Sequence, residues 1–269
     1  MFTFYDDELH NLILISGRDI REIISYTSTY DYHPPLQYLV NKLFLNLFGP
    51  NELLLALPSL IFILASVIIC GRIVYGITRS IKVSIAASAV ILINPLILLW
   101  GSSIRWYPLW TFLTILSLYF LINHWRSTIP EKKFLYIVVS IFIFALSLYT
   151  NYLTIVFLFT GLIAAVMLDA REKSWNRTKM AVTLILGVFL LFIPYLTTFI
   201  YHLNNFLFRK EMFADYTGTA PLISGAYFLF TSLFGQSIYP WQITFIVPFF
   251  SFIVFLCASV VYMVLAVKK

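Results

Sequence analysis

A chain of 269 residues that is 61% hydrophobic and only 11% charged, with a mean hydropathy of +0.89, lacks the polar surface of a water-soluble domain and reads as a membrane protein. Its formal charge of +6 follows the placement of its loops, so nucleic-acid binding is a poor explanation for it. Cys70 and Cys257 lie in apolar runs without metal-like spacing, which speaks against a disulfide framework.

The chain opens on Tyr5-Asp6-Asp7-Glu8. A carboxylate at the centre of a bilayer costs roughly 2.5–3.5 kcal/mol, so three in a row must face water or a polar cavity beside the membrane. Leu9, Leu12, Ile13, Ile20, Ile23 and Ile24 follow at helical spacing, with His10, Asn11, Arg18, Asp19, Arg21 and Glu22 between them. That pattern predicts an amphipathic helix lying in the membrane interface, broken or bent at Gly17. The acids fall in its first turn, where the helix dipole favours ionised carboxylates. In Tyr30-Asp31-Tyr32-His33-Pro34-Pro35 the prolines end the preceding helix, hold His33 extended and allow Pro35 to start the next one. Leu36, Leu39, Leu43, Leu47 and Phe48 define a second interfacial helix, stopped by Gly49-Pro50.

Seven runs are apolar enough to span: 53–70, 84–100, 107–123, 134–150, 152–168, 180–201 and 243–266. Tyr149-Thr150-Asn151-Tyr152 is the polar break inside 134–168 and predicts a tight turn. The 222–234 stretch is too short to span and reads as a third interfacial or re-entrant helix. Loops 71–83, 124–133 and 169–179 with the tail 268–269 hold twelve of the eighteen basic residues and three of the twelve acids. Such a Lys/Arg excess marks the cytoplasmic face. The expectation is an all-α polytopic protein of the plasma (inner) membrane, N-terminus exported and C-terminus cytoplasmic. Residues 1–52 form an exported segment, 53–201 a transmembrane bundle, 202–242 an exported loop, and 243–269 a last span with its tail. Asn176-Arg177-Thr178 matches a glycosylation acceptor, but on this topology it faces the cytoplasm. No cleavable signal peptide is visible, so export of the first segment depends on the 53–70 span, which points to an incomplete chain.

Two groups of residues could carry chemistry. A glycosidase needs two carboxyl groups, because its alcohol leaving group must be protonated. A transferase acting on a sugar linked to a lipid phosphate needs one base for the acceptor and a cation on the phosphate. The acidic head fits the second scheme, or is simply a solvated turn. Ser102-Ser103-Ile104-Arg105-Trp106-Tyr107-Pro108 is the exported turn between two spans. Arg105, the sole charge between Lys82 and Arg126, could bind phosphate bidentately; alone, it reads rather as a snorkelling side chain with aromatic anchors. His33 could bind a metal, donate to phosphate or cap the elbow. His10 with Asp6 and Asp7 makes a divalent metal a minority option. Arg209-Lys210-Glu211 reads as a solvated loop.

The order of these pieces resembles the C-type membrane glycosyltransferases, in particular the dolichyl-phosphate-mannose protein mannosyltransferases and aminoarabinose transferases. Asp7-Glu8, His33-Pro34-Pro35-Leu36-Gln37-Tyr38, Phe48-Gly49, Leu57-Pro58-Ser59, Asn94-Pro95, Arg105-Trp106-Tyr107, Leu148-Tyr149-Thr150-Asn151-Tyr152, Phe192-Ile193-Pro194-Tyr195 and Leu233-Phe234-Gly235 carry the likeness. The resemblance implies an inverting transfer from a polyprenyl-phosphate sugar on the exported face. It makes Asp7 the general base with Glu8 in support, and puts Asp6, His33, Arg105 and Tyr107 at the substrate. Ala56 and Asn151 depart from the Arg and His common there, and such enzymes carry a further span before the Asp-Glu pair. The competing readings are an inactive or truncated relative and a non-enzymatic transporter. Nearly charge-free spans speak against transport.

Overall fold

A computed structural model describes residues 6–31, 33–94, 97, 101 and 103–208, with the side chains at 6, 7, 52 and 205–208 excepted. The chain divides into two units, one of 1–89 with 100–210 and one of 90–99 with 211–269. Most of the second unit, including the 222–234 helix and the 243–266 span expected from the sequence, lies outside the described residues.

The described elements are all helical. Three shorter helices come first: α1 (Asp6–Ser16), α2 (Ile20–Thr29) and α3 (Leu36–Phe48). Next come α4 (Glu52–Thr78), α5 (Ile81–Leu92), α6 (Trp106–Arg126), α7 (Pro130–Leu148), α8 (Leu153–Glu172) and α9 (Asn176–Phe192). A 3-10 turn (Ile193–Tyr195) then leads into α10 (Leu196–Phe208). Among the described residues, four stretches are long and apolar enough to cross a membrane: Leu53–Thr78, Trp106–Arg126, Leu153–Glu172 and Asn176–Asn204.

Local chemistry accounts for the boundaries. Gly17 separates α1 from α2, as its position predicts. The carbonyls that end α1 are taken by two cations: Arg18 donates to Leu14 O at 3.1 Å and Lys42 to Ile15 O at 2.8 Å. Asp19 starts α2 with a reciprocal capping box, its carboxylate accepting from Glu22 N and Glu22 accepting from Asp19 N. Gly49 ends α3 at φ 71°, a left-handed backbone open to glycine. Asn51 caps α4 through the Leu53 and Leu54 amides.

The long helices run past the apolar runs that define them. α4 continues eight residues beyond position 70, leaving only Arg79 and Ser80 between it and α5, so the expected 71–83 loop is mostly helix. Likewise 127–129 and 173–175 are all that remain of loops 124–133 and 169–179. Helical hydrogen bonding does not stop at the hydrocarbon boundary, whereas the hydropathy signal does. The 173–175 turn is held by Asp169, whose carboxylate accepts from Ser174 Oγ at 3.0 Å and the Thr178 amide at 2.8 Å.

Packing follows the rule for proteins in lipid, where apolar side chains gain little from leaving the solvent and small polar residues mediate close helix contacts. Leu64, Ile68, Phe134, Val156, Met167, Leu186 and Leu190 are exposed. Ser59, Ser66, Thr114, Ser117, Ser140, Ser147 and Thr154 are buried. Between α6 and α7, Ser140 Oγ donates to Ser117 O at 3.0 Å, and Thr114 and Ser147 hydroxyls meet at 3.1 Å. Between α4 and α5, Ser84 Oγ donates to Gly71 O at 2.6 Å. An apolar core of Phe144, Leu148, Leu158, Leu184, Val188 and Phe192 joins α7, α8 and α9.

Candidate functional site

The site is assembled at one end of the bundle, where α4, α6 and α8 begin and α7 ends. The proline elbow is stitched to the 149–152 turn by Leu36 N donating to Tyr149 O at 3.1 Å. The turn after residue 100 is pinned from three helices through its backbone. Ile104 N donates to Glu8 Oε1 of α1 at 2.9 Å. Ile104 O accepts from Asn11 Nδ2 of α1 at 3.2 Å and Asn41 Nδ2 of α3 at 3.0 Å. Ser59 Oγ of α4 donates to Ser103 O at 2.6 Å. A buried backbone group must find a partner, and here all four partners are side chains from outside the turn. Arg105, the next residue, is thereby brought to the elbow.

The inward face of α1 carries polar residues beside the buried Leu14 and Ile15. Glu8 and Asn11 are buried while Leu9 and Ile13 are exposed, at 47% and 61%. The reason is the Ile104 peptide, which needs polar side chains on the inward face.

Within the elbow, Asp31 is the hub. Its Oδ1 accepts from the His33 amide at 3.0 Å and faces His33 Nδ1 at 3.0 Å. Its Oδ2 accepts from the Tyr38 hydroxyl. Burial pushes the Asp31 carboxyl up, but the hydrogen bonds from His33 and Tyr38 outweigh it and hold the group below its ordinary value. Burial first, then the neighbouring Asp31 charge, raises the Tyr38 phenol well above its own, so it stays a donor. An ionised carboxylate only accepts, so His33 Nδ1 carries the proton and Nε2 is the atom left for a ligand.

Aromatic rings continue the surface. The His33 and Trp106 rings lie 6.1 Å apart, those of Trp106 and Tyr107 4.0 Å apart. The Arg105 guanidinium sits 5.5 Å from the centre of the Tyr107 ring. Asn11, His33, Pro34, Gln37, Tyr38, Arg105 and Trp106 line one small cavity of about 20 Å³, room for about one water molecule.

Of the residues expected at the site, His33, Arg105 and Tyr107 come together, and Glu8 reaches the Arg105 turn. Asp6 and Asp7 lie in the first turn of α1, two residues and one residue before Glu8, with side chains outside the description. The metal option of His10 with Asp6 and Asp7 rests on those same side chains. Asp31, Tyr38, Gln37, Asn11 and Asn41 were not expected at the site. Their signal is Gln37 and Asn41 at i, i+4 on one face of an apolar helix, with Glu8 and Asn11 at i, i+3 on another.

Among the described residues, four stretches long and apolar enough to cross a membrane, with a polar cluster at one bundle end, define an integral membrane protein. The chain belongs to the dolichyl-phosphate-mannose-protein mannosyltransferase family, whose model matches residues 32–197. It is a membrane glycosyltransferase of the mannosyltransferase type. The match covers the elbow from residue 32 onward, so that Asp31 falls just before it, together with the Arg105 turn and the 149–152 turn. No curated protein and no solved structure matches the chain significantly.

Proposed function

We propose that the protein transfers a sugar from a polyprenyl-phosphate donor to an acceptor on the exported side of the plasma (inner) membrane, with inversion at the anomeric carbon. The Asp7 carboxylate takes the proton of the acceptor hydroxyl as its oxygen attacks the anomeric carbon. The bond from that carbon to the phosphate oxygen breaks, and the prenyl phosphate leaves with the electron pair. Phosphate is a stable anion, so the leaving group needs positive charge and hydrogen bonds rather than a proton. Arg105 and the free edge of His33 are the groups for that task, and Tyr107 and Asp6 border the substrate. Glu8 positions rather than reacts, since its Oε1 accepts from the Ile104 amide.

The observation that carries this reading is the pinned 103–105 turn, which sets Arg105 and His33 around one cavity at the bundle end opposite the basic loops. The family's own donor class supports it. Purified membranes containing the protein, incubated with labelled prenyl-phosphate sugars, should transfer label to an acceptor. Asp7→Asn should abolish that transfer while the protein still inserts; full activity in the variant removes the assigned base.

A further inference from the structure

The cavity between the elbow and the Arg105 turn holds two buried polar atoms that the fold leaves over. Gln37 Oε1 and Trp106 Nε1 have no hydrogen-bond partner among the described residues, and both residues line this space. Gln37 is only 3% exposed. Its amide orientation is dictated by its neighbours. Ile104 O can only accept, so Asn41 presents Nδ2 to it. Asn41 then offers Oδ1 to Gln37, which must donate with Nε2, at 2.7 Å. The chain ends with Gln37 Oε1 as an unused acceptor. Trp106 Nε1–H is a donor only.

Gln37 and Trp106, carrying one unused acceptor and one unused donor, border a space of one-water size, and that pair is complementary to a single hydroxyl, which donates to one and accepts from the other. A sugar ring does not fit in about 20 Å³, but one hydroxyl does. We propose that Gln37 and Trp106 form a hydroxyl-reading subsite that takes one hydroxyl of the transferred sugar, in place of a water, and so selects which sugar is accepted. The proposal rests on the glycosyl-transfer reading above. Arg105 and His33 border the same cavity, which puts this hydroxyl close to the phosphate end of the donor.

The test is hydroxyl deletion paired with side-chain deletion in the full chain in membranes. Wild-type protein is assayed with prenyl-phosphate mannose, glucose, galactose and arabinose. The best donor is then compared with its mono-deoxy forms, one hydroxyl removed at a time. One deoxy donor should lose roughly 10- to 100-fold in kcat/KM, as expected when a buried donor and acceptor are left unpaired. Trp106→Phe keeps the ring and breaks no hydrogen bond to a described residue. It should lower kcat/KM for the parent by a similar factor, yet leave that deoxy donor unchanged. Gln37→Leu should single out the same hydroxyl, and serves if Trp106→Phe does not fold. Equal losses across every donor in both variants would overturn the subsite and assign the cavity to a resident water. No transfer by wild-type protein from any of the four donors would instead overturn the transferase reading, and the subsite with it.

Discussion

Asp31 carries the largest share of the elbow's electrostatics. Its folded-state pKa is held below the ordinary carboxylate value near 3.9, so the sign of its pH dependence is set. Its contribution to stability is complete above the unfolded value and is lost as pH falls through the lower folded one. Thermal melts of the detergent-solubilised protein should therefore fall as pH drops below about 4, and Asp31→Asn should flatten that acid limb. Tyr38→Phe removes one of the three donors to the part-buried carboxylate. It should cost about 1–3 kcal/mol and shift the acid limb to higher pH. Glu8 separates two roles in one residue. Glu8→Gln keeps an oxygen for the Ile104 amide and should melt near wild type, whereas Glu8→Leu orphans a buried donor and should lose about 1–3 kcal/mol. Equal melting of the two variants would mean that Oε1 does not hold the turn.

Elements in this protein meet through small residues, and the distances are short enough to be tested. A Cβ built on Gly71 would lie 2.5 Å from Ser88 Oγ and 3.4 Å from Ser84 Oγ, the two serines by which α5 grips α4. Gly71→Val should force the helices apart and destabilise by about 1–3 kcal/mol, seen as a lower melting midpoint. The turn between α5 and α6 depends instead on side chains of α1, α3 and α4. Asn41→Leu takes away one donor to the Ile104 carbonyl and the acceptor for Gln37 at once. It should reduce transfer more than it reduces stability, because it frees Arg105 while the bundle core of α7, α8 and α9 is untouched. Activity and melting measured on the same preparation separate the two effects. Helix existence was legible residue by residue: Gly17, Pro34-Pro35, Gly49-Pro50 and the 149–152 break each fall at an element boundary. Helix ends were less so. The charged residues past position 70 look like loop by hydropathy, yet continue as helix to Thr78.

At the largest scale, the governing feature of the unit that carries the site is the contrast between its two ends. The elbow and the turns at 103–105 and 149–152 gather at one end. Arg79, Lys132, Lys133, Arg171, Lys173 and Lys179 lie in or beside the turns of the other. The expected orientation puts the site outside. In a variant lacking Cys70 and Cys257, a cysteine at Lys132 should react with a membrane-impermeant thiol reagent only after cells are opened. One at Ser25 on α2 should react in intact cells. The reverse pattern would invert the topology. Sequence by itself determined the helical membrane class, the short helices at the head of the chain, the clustering of basic residues and the family, because hydrophobic run length and charge placement answer to the bilayer, which is the same for every chain. It also marked His33 and Arg105 as residues to watch. Only the tertiary structure decided that they share a cavity, and that Asn11 and Glu8 face inward. Those facts depend on hydrogen bonds to Ile104 from positions 63 to 96 residues away, and a backbone carbonyl has no letter in the sequence to announce what it will bind.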